Sequence, residues 1–133
     1  MLLADWAQAI NGKLYIQGAG WSRVQVPPSG EIGFAIAAKL DVDWDETNQP
    51  HDVTVALVDA DGRPVLGDGG RAVIDVRTQL EVGRPVGLAP GTPIDVPLAV
   101  NVQHVQLAPG RYEVVLVADG EHLARAAFDV VAG

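Results

Sequence analysis

Between residues 31 and 45 the chain alternates almost without interruption. Ile32, Phe34, Ile36, Ala38, Leu40, Val42 and Trp44 occupy the even positions; Glu31, Lys39, Asp41, Asp43 and Asp45 are odd. A strand throws successive side chains to opposite faces, so this period of two describes a long strand with one buried face. A helix would spread the same residues around its whole circumference. The feature therefore commits the chain to a sheet that must cover one apolar face.

The rest of the sequence keeps that rhythm. Val53, Val55 and Leu57 alternate with Asp52, Thr54 and Ala56. Ile74, Val76, Leu80 and Val82 share one register, as do Ile94, Val96, Leu98, Val100 and Val102. The second set then loses phase, because Val105 and Leu107 are odd; a bulge or bend near Asn101–His104 would return the apolar side to the core. Turn signals punctuate the strands: Asn11-Gly12, Asp61-Gly62 and Asp119-Gly120 are two-residue hairpin sequences. About eight strands are expected, over 2–10, 13–26, 31–44, 52–59, 71–82, 92–106, 111–118 and 121–131. No window carries a helical stripe. Short strands without βαβ alternation predict an all-β, immunoglobulin-like antiparallel β-sandwich, and 133 residues suit a single domain over 1–133.

A second feature supports the sandwich. Leu107-Ala108-Pro109-Gly110-Arg111-Tyr112 runs straight into the apolar Val114–Val117. A Pro109-Gly110 turn that sets Tyr112 at the start of a strand is the sequence form of a tyrosine corner, whose phenol bonds back to upstream backbone. Tyr112, Pro109 and Gly110 are accordingly read as structural. The strand after the turn is apolar on both registers, which places it centrally in its sheet or against a partner.

Charge and composition exclude several functions. The net charge is −8, from 17 acidic and 9 basic residues, and no basic run exists. Nucleic acid and anionic membrane are poor partners for such a chain. There is no cysteine, hence no disulfide framework, thiol nucleophile or Cys-ligated zinc. The N-terminus lacks a basic leader followed by an apolar core, so a cytoplasmic location is expected. Seven arginines against two lysines, with abundant Ala, Gly and Val, suggest a GC-rich bacterial source.

Leu2-Leu3-Ala4-Asp5-Trp6-Ala7-Gln8, Gly12-Lys13-Leu14-Tyr15-Ile16 and Gly18-Ala19-Gly20-Trp21 resemble the opening of an uncharacterised bacterial, actinobacterial family of small β-sandwich domains. The later half is similar, more loosely, to fibronectin type III and other immunoglobulin-like modules. The resemblance implies a fold and no activity.

No catalytic constellation stands out. The Gly18-x-Gly20 pair leads into strand-like sequence rather than a helix, so it is not a dinucleotide fingerprint. The three histidines, His51, His104 and His122, have no metal-ligand spacing, and no nucleophile elbow is present. No cofactor is implied, and the domain reads as a non-enzymatic interaction or assembly module, its partner a protein, with a second copy of itself among the candidates. Interface candidates are Ala35 and Ala37, small apolar residues on the odd face of the best strand, with Tyr15, Trp21, Val115 and Val117. Trp6 is expected in the core. The competing class is a Ca²⁺-dependent or carbohydrate-like small-ligand binder using the acidic strand ends Asp41, Asp43, Asp45, Asp59 and Asp61, since calcium takes six to eight oxygens.

Overall fold

A computed structural model describes residues 1–133. Ten strands form it: β1 (Leu2–Ala4), β2 (Trp6–Ile10), β3 (Lys13–Gln17), β4 (Arg23–Gln25), β5 (Ile32–Val42), β6 (His51–Asp59), β7 (Asp75–Leu80), β8 (Ile94–Val105), β9 (Gly110–Ala118) and β10 (Glu121–Val131). The only helical pieces are two three-residue 3₁₀ turns, at Trp44–Glu46 and Asp68–Gly70.

Three layers stack. A three-stranded sheet ordered β1-β5-β8 faces a five-stranded sheet ordered β4-β10-β9-β6-β7, and the β2–β3 hairpin lies on the outer side of the first. All strand pairs are antiparallel except β4 with β10. The first sheet has three strands, the second has the last two strands side by side, and the N-terminal strands divide between them, β1 in the first and β4 in the second. That is the immunoglobulin-like arrangement.

The alternation of β5 explains the core. Ile32, Phe34, Ile36, Ala38 and Leu40 are buried between the sheets, against Val53, Val55, Leu57, Val114, Leu116, Phe128 and Val130 from the other side. Trp21, Phe34 and Phe128 meet edge-on or tilted at centroid distances of 5.5–6.2 Å, and Tyr112 stacks on Phe128 at 5.8 Å. Such pairs add about 0.5–1.5 kcal/mol each beyond area burial.

The phase break in β8 is a bulge. Ile32 pairs with Val105 but Phe34 with Val102, so three residues of β8 oppose two of β5. His104 takes the extra conformation, at φ 59°. The insertion returns Val105 and Leu107 to the core. The chain then crosses to the second sheet, and the Tyr112 hydroxyl donates to the Ala108 carbonyl at 2.7 Å, closing the tyrosine corner. Burial, and next the nearby Asp59 carboxylate, push the phenol above its ordinary pKa, which keeps the donor protonated.

Strand boundaries differ from the sequence reading in two informative places. The segments 2–10 and 13–26 each split in two, giving ten strands rather than eight. Leu3 belongs to the core sheet, whereas Ala7 belongs to the covering hairpin. No single phase can serve two layers. At the other end of β5 the strand stops at Val42, and Trp44 opens a 3₁₀ turn instead of continuing the core register. Its ring lies under the Arg84 guanidinium, 4.2 Å from the centroid.

Candidate functional site

The structure offers two candidate regions, the outer face of the β2–β3 hairpin and a cleft at one end of the sandwich. The hairpin is built on the Asn11-Gly12 turn, where both residues adopt positive φ, as a type I′ connection requires. Alternation then sorts the strands. Ala7, Leu14 and Ile16 point down onto the sheet; Trp6, Gln8, Ile10, Lys13, Tyr15 and Gln17 point away. The inner residues meet Ala4, Ala35, Ala37 and Ala99, whose short side chains let the layers approach closely. Asn101 on β8 fixes the hairpin's position. Its side-chain amide donates to the Ala7 carbonyl at 2.7 Å, and its side-chain carbonyl accepts from the Ala7 N–H at 3.2 Å. One side chain thus supplies the donor and acceptor of a missing strand neighbour.

This arrangement revises three expectations. Ala35 and Ala37, taken as interface residues, are 0% and 2% exposed beneath the hairpin of their own chain. Trp21 packs into the aromatic core, where its indole Nε1 is buried without a partner. Trp6, expected in the core, is 40% exposed, and Tyr15 is 50% exposed on the neighbouring strand. Sorting by alternation, once the hairpin is known to cover the alanines, would have placed Trp6 outside. Val115 and Val117 are half-buried on the outer face of the five-stranded sheet. Val115 lies between Ala56 and Arg125, and Val117 between Thr54 and His122, in the central strand of that sheet.

The five aspartates do not converge. Asp41 is bridged by Lys39 at 3.1 Å. Asp43 and Asp45 flank the start of the exposed 3₁₀ turn. Asp59 and Asp61 lie at the far end of β6, about 27 Å along a nine-residue strand. Asp59 is used locally, accepting from the Asp61 and Arg63 N–H groups at 2.9 and 3.0 Å.

A different trio does converge. Glu46, His51 and Asp119 bring ligand-type atoms within 4.8 Å of one another. They come from the 3₁₀ turn, the first residue of β6 and the β9–β10 turn. His51 occupies the inward register of Val53, Val55 and Leu57, a signal available in the sequence; its partner Asp119 is 68 residues away and was not. Asp119 and Gly120 both have positive φ, so the tight turn holds the carboxylate in place. One Asp119 oxygen accepts from the Asp52 N–H at 2.9 Å and the other meets His51 Nδ1 at 2.7 Å. His51 Nε2 meets the Glu46 main-chain carbonyl at 2.6 Å.

Both ring nitrogens of His51 therefore face oxygen acceptors. A neutral imidazole has one N–H and would set a lone pair against an oxygen; the imidazolium satisfies both contacts. The Glu46 carbonyl, followed by the Asp119 carboxylate, accordingly raises the His51 pKa above its ordinary value, and His51 in turn lowers that of Asp119. With both nitrogens donating, the ring offers no lone pair to a metal ion. The trio is a hydrogen-bonded clasp.

The clasp borders a cleft of about 180 Å³ between the sheets. Leu40, Val42, Val53, Leu80 and Leu123 give it apolar walls, while Asp41, Glu46, Asp119 and Glu121 line it with carboxylates. Arg84 braces the outer side of the same loop, donating to the Thr47 hydroxyl at 2.8 Å and the Trp44 carbonyl at 2.9 Å.

Comparison with known families places this geometry. A family model described as a family of unknown function, DUF6941, matches residues 1–131. The chain belongs to that family. No curated protein matches it, and no solved structure does. As a member of DUF6941 the domain carries a β-rich fold across its whole length and no assigned chemistry. No helix is long and apolar enough to cross a membrane.

Proposed function

We propose that the domain is a non-enzymatic protein-interaction module whose docking surface centres on the outer face of the β2–β3 hairpin. The observation that carries this reading is that the hairpin keeps large apolar residues on both of its faces. It packs Ala7, Leu14 and Ile16 onto the sheet and still presents Trp6, Ile10 and Tyr15 on its outer side. Fully burying a large apolar side chain contributes about 1.5–3 kcal/mol. A hairpin shaped for the stability of its own chain alone would leave its outer face to polar residues. Trp and Tyr are also the side chains that dominate binding energy at protein interfaces.

Charge supports the same surface. In a chain of net charge −8 the outer hairpin positions carry one charge, the cation Lys13, and two amides, Gln8 and Gln17. Two five-residue strands, each roughly 17 Å long and about 4.8 Å apart, offer only a fraction of the ~800 Å² per partner of a standard interface. The hairpin therefore supplies the centre of the contact, and flanking surface, including the exposed Leu2, supplies the rim. A bacterial cytoplasmic setting fits the composition. A second copy of the chain is one partner this surface would accept.

The test pairs Trp6→Ser and Tyr15→Ser with the unchanged protein. Light scattering across a wide concentration range reads self-association, and affinity capture from the source organism reads other partners. The proposal expects at least one association that the double variant loses while its melting temperature holds. A protein that stays monomeric and captures nothing specific removes it, as does an association indifferent to both substitutions.

A further inference from the structure

We propose that His51 is a proton-held latch: its imidazolium ties the loop 43–50 to the β9–β10 turn and keeps shut the cleft between the two sheets, and loss of the proton releases the loop. The latch is independent of the hairpin surface, which lies on another face of the molecule.

The geometry is the first support. His51 is 8% exposed, and its two nitrogens bond to different segments: Nε2 to the Glu46 carbonyl in the loop, Nδ1 to the Asp119 carboxylate in the turn. The ring is the physical link between them. A neutral ring can keep one of these bonds and must turn a lone pair toward the other oxygen.

The second support is the surrounding charge. Asp41 from β5, Glu46 from the 3₁₀ turn, Asp119 from the β9–β10 turn and Glu121 from β10 line the cleft, and Asp52 follows His51 on β6. His51 is the only basic residue among those that line it. Lys39 serves Asp41 and Asp95 from outside, and Arg84 is committed to Trp44 and Thr47. Removing the proton thus leaves Glu46, Asp119 and Glu121 at the cleft with no cation among the residues that line it. The other loop anchors, the Asn48 N–H to the Val82 carbonyl at 2.7 Å and the Arg84 contacts, join it to the segment after β7. With the latch released they are all that holds the loop, so its amides exchange more readily.

The direction in pH follows. The folded ring holds its proton more tightly than an unfolded one, so the latch is fully engaged below about 6.5, the ordinary histidine value. It weakens as pH climbs from there through the raised value of the folded state. Asp119 acts at the other limit. Its lowered value means that its contribution is present above the ordinary carboxylate range and fails only in stronger acid. Each unit by which the folded histidine exceeds the unfolded one corresponds to a tenfold change in the opening equilibrium.

Two readouts on the whole chain test this. Long-range proton–nitrogen NMR reports the protonation of both ring nitrogens, and amide exchange of Thr47 and Asn48 reports loop opening. Core amides of β9 serve as the internal reference for the intrinsic pH dependence of exchange. The latch predicts a doubly protonated ring at pH 6. It also predicts that loop protection, relative to the reference, falls as the ring titrates. Asp119→Asn keeps the turn, since Asn tolerates positive φ, and should lower the His51 midpoint and open the loop at a correspondingly lower pH. His51→Gln, which carries no titrating proton, should flatten the pH response. A neutral ring at pH 6 overturns the proposal, and so does loop protection that tracks the core amides through the histidine midpoint.

Discussion

The two faces of the β2–β3 hairpin are made by the same ten residues and treat apolar groups in opposite ways. Its inner face is closed: Ala7 packs on Ala4, Ala35 and Ala37 with almost no exposed surface, and Leu14 and Ile16 lie half-buried beside it. Its outer face is large and wet: Trp6, Ile10 and Tyr15 stand in solvent between glutamines and a lysine. The inner face is the kind of contact that specifies a position, since alanines leave no room for a misplaced layer and Asn101 pins one residue of it. The outer face contributes little to folding and displays the side chains from which binding surfaces are made. One hairpin is fastened by its inner face and displays large residues on its outer one.

The comparison breaks first on the inside. Ala35→Leu pushes three more heavy atoms into a closed layer. It should destabilise the fold by about 1–3 kcal/mol, the usual cost of overpacking, and calorimetry should show the loss. If the hairpin lifts away instead, amide protection over β2 and β3 falls while the core strands hold. Asn101→Ala leaves the Ala7 N–H and carbonyl without their partner and belongs in the upper half of the ~1–3 kcal/mol range for stranded polar groups. An unchanged denaturation midpoint would show that the Asn101 bonds do not fasten the hairpin.

The tyrosine corner supplies the comparison elsewhere in the fold. Tyr112→Phe removes one hydroxyl and strands one carbonyl, so its cost should lie in the lower half of the same range, and Asn101→Ala should exceed it in urea denaturation. The smallest effect on stability belongs to the outer face. Trp6→Ser and Tyr15→Ser should each move the folding free energy by about 0.5 kcal/mol or less. A large loss from either would mean that the outer rings hold the hairpin together and are not displayed for a partner.

Much of the frame could be read from the sequence because alternation is a local property. The even face of β5, the bulge before Val105, the Asp119-Gly120 turn and the full extent of β10 all follow from residues close to one another in the chain. Alternation tells which residues share a face and says nothing about what covers it. Ala35 and Ala37 therefore read as an open surface until the hairpin is seen above them, and the unsteady phase of residues 2–10 reflects a chain that changes layers at Asp5. The His51 clasp is hidden for a related reason. Each member is an ordinary residue in its own segment, and only the sandwich brings the turn after β9 beside the start of β6. The aspartates of β5 and β6 mislead in the opposite sense: they look clustered in sequence order, but the strand carries Asp59 and Asp61 to the other end of the molecule.

The most direct test of the account places a photo-reactive residue at Tyr15 and, separately, at Gln79, an exposed position on the edge strand β7 of the opposite sheet. Both proteins are irradiated in cells of the source organism and the adducts separated by mass. The hairpin surface predicts a discrete cross-linked species from position 15 that position 79 does not give, and that Trp6→Ser diminishes. No adduct at position 15, or the same adducts from both positions, would contradict it.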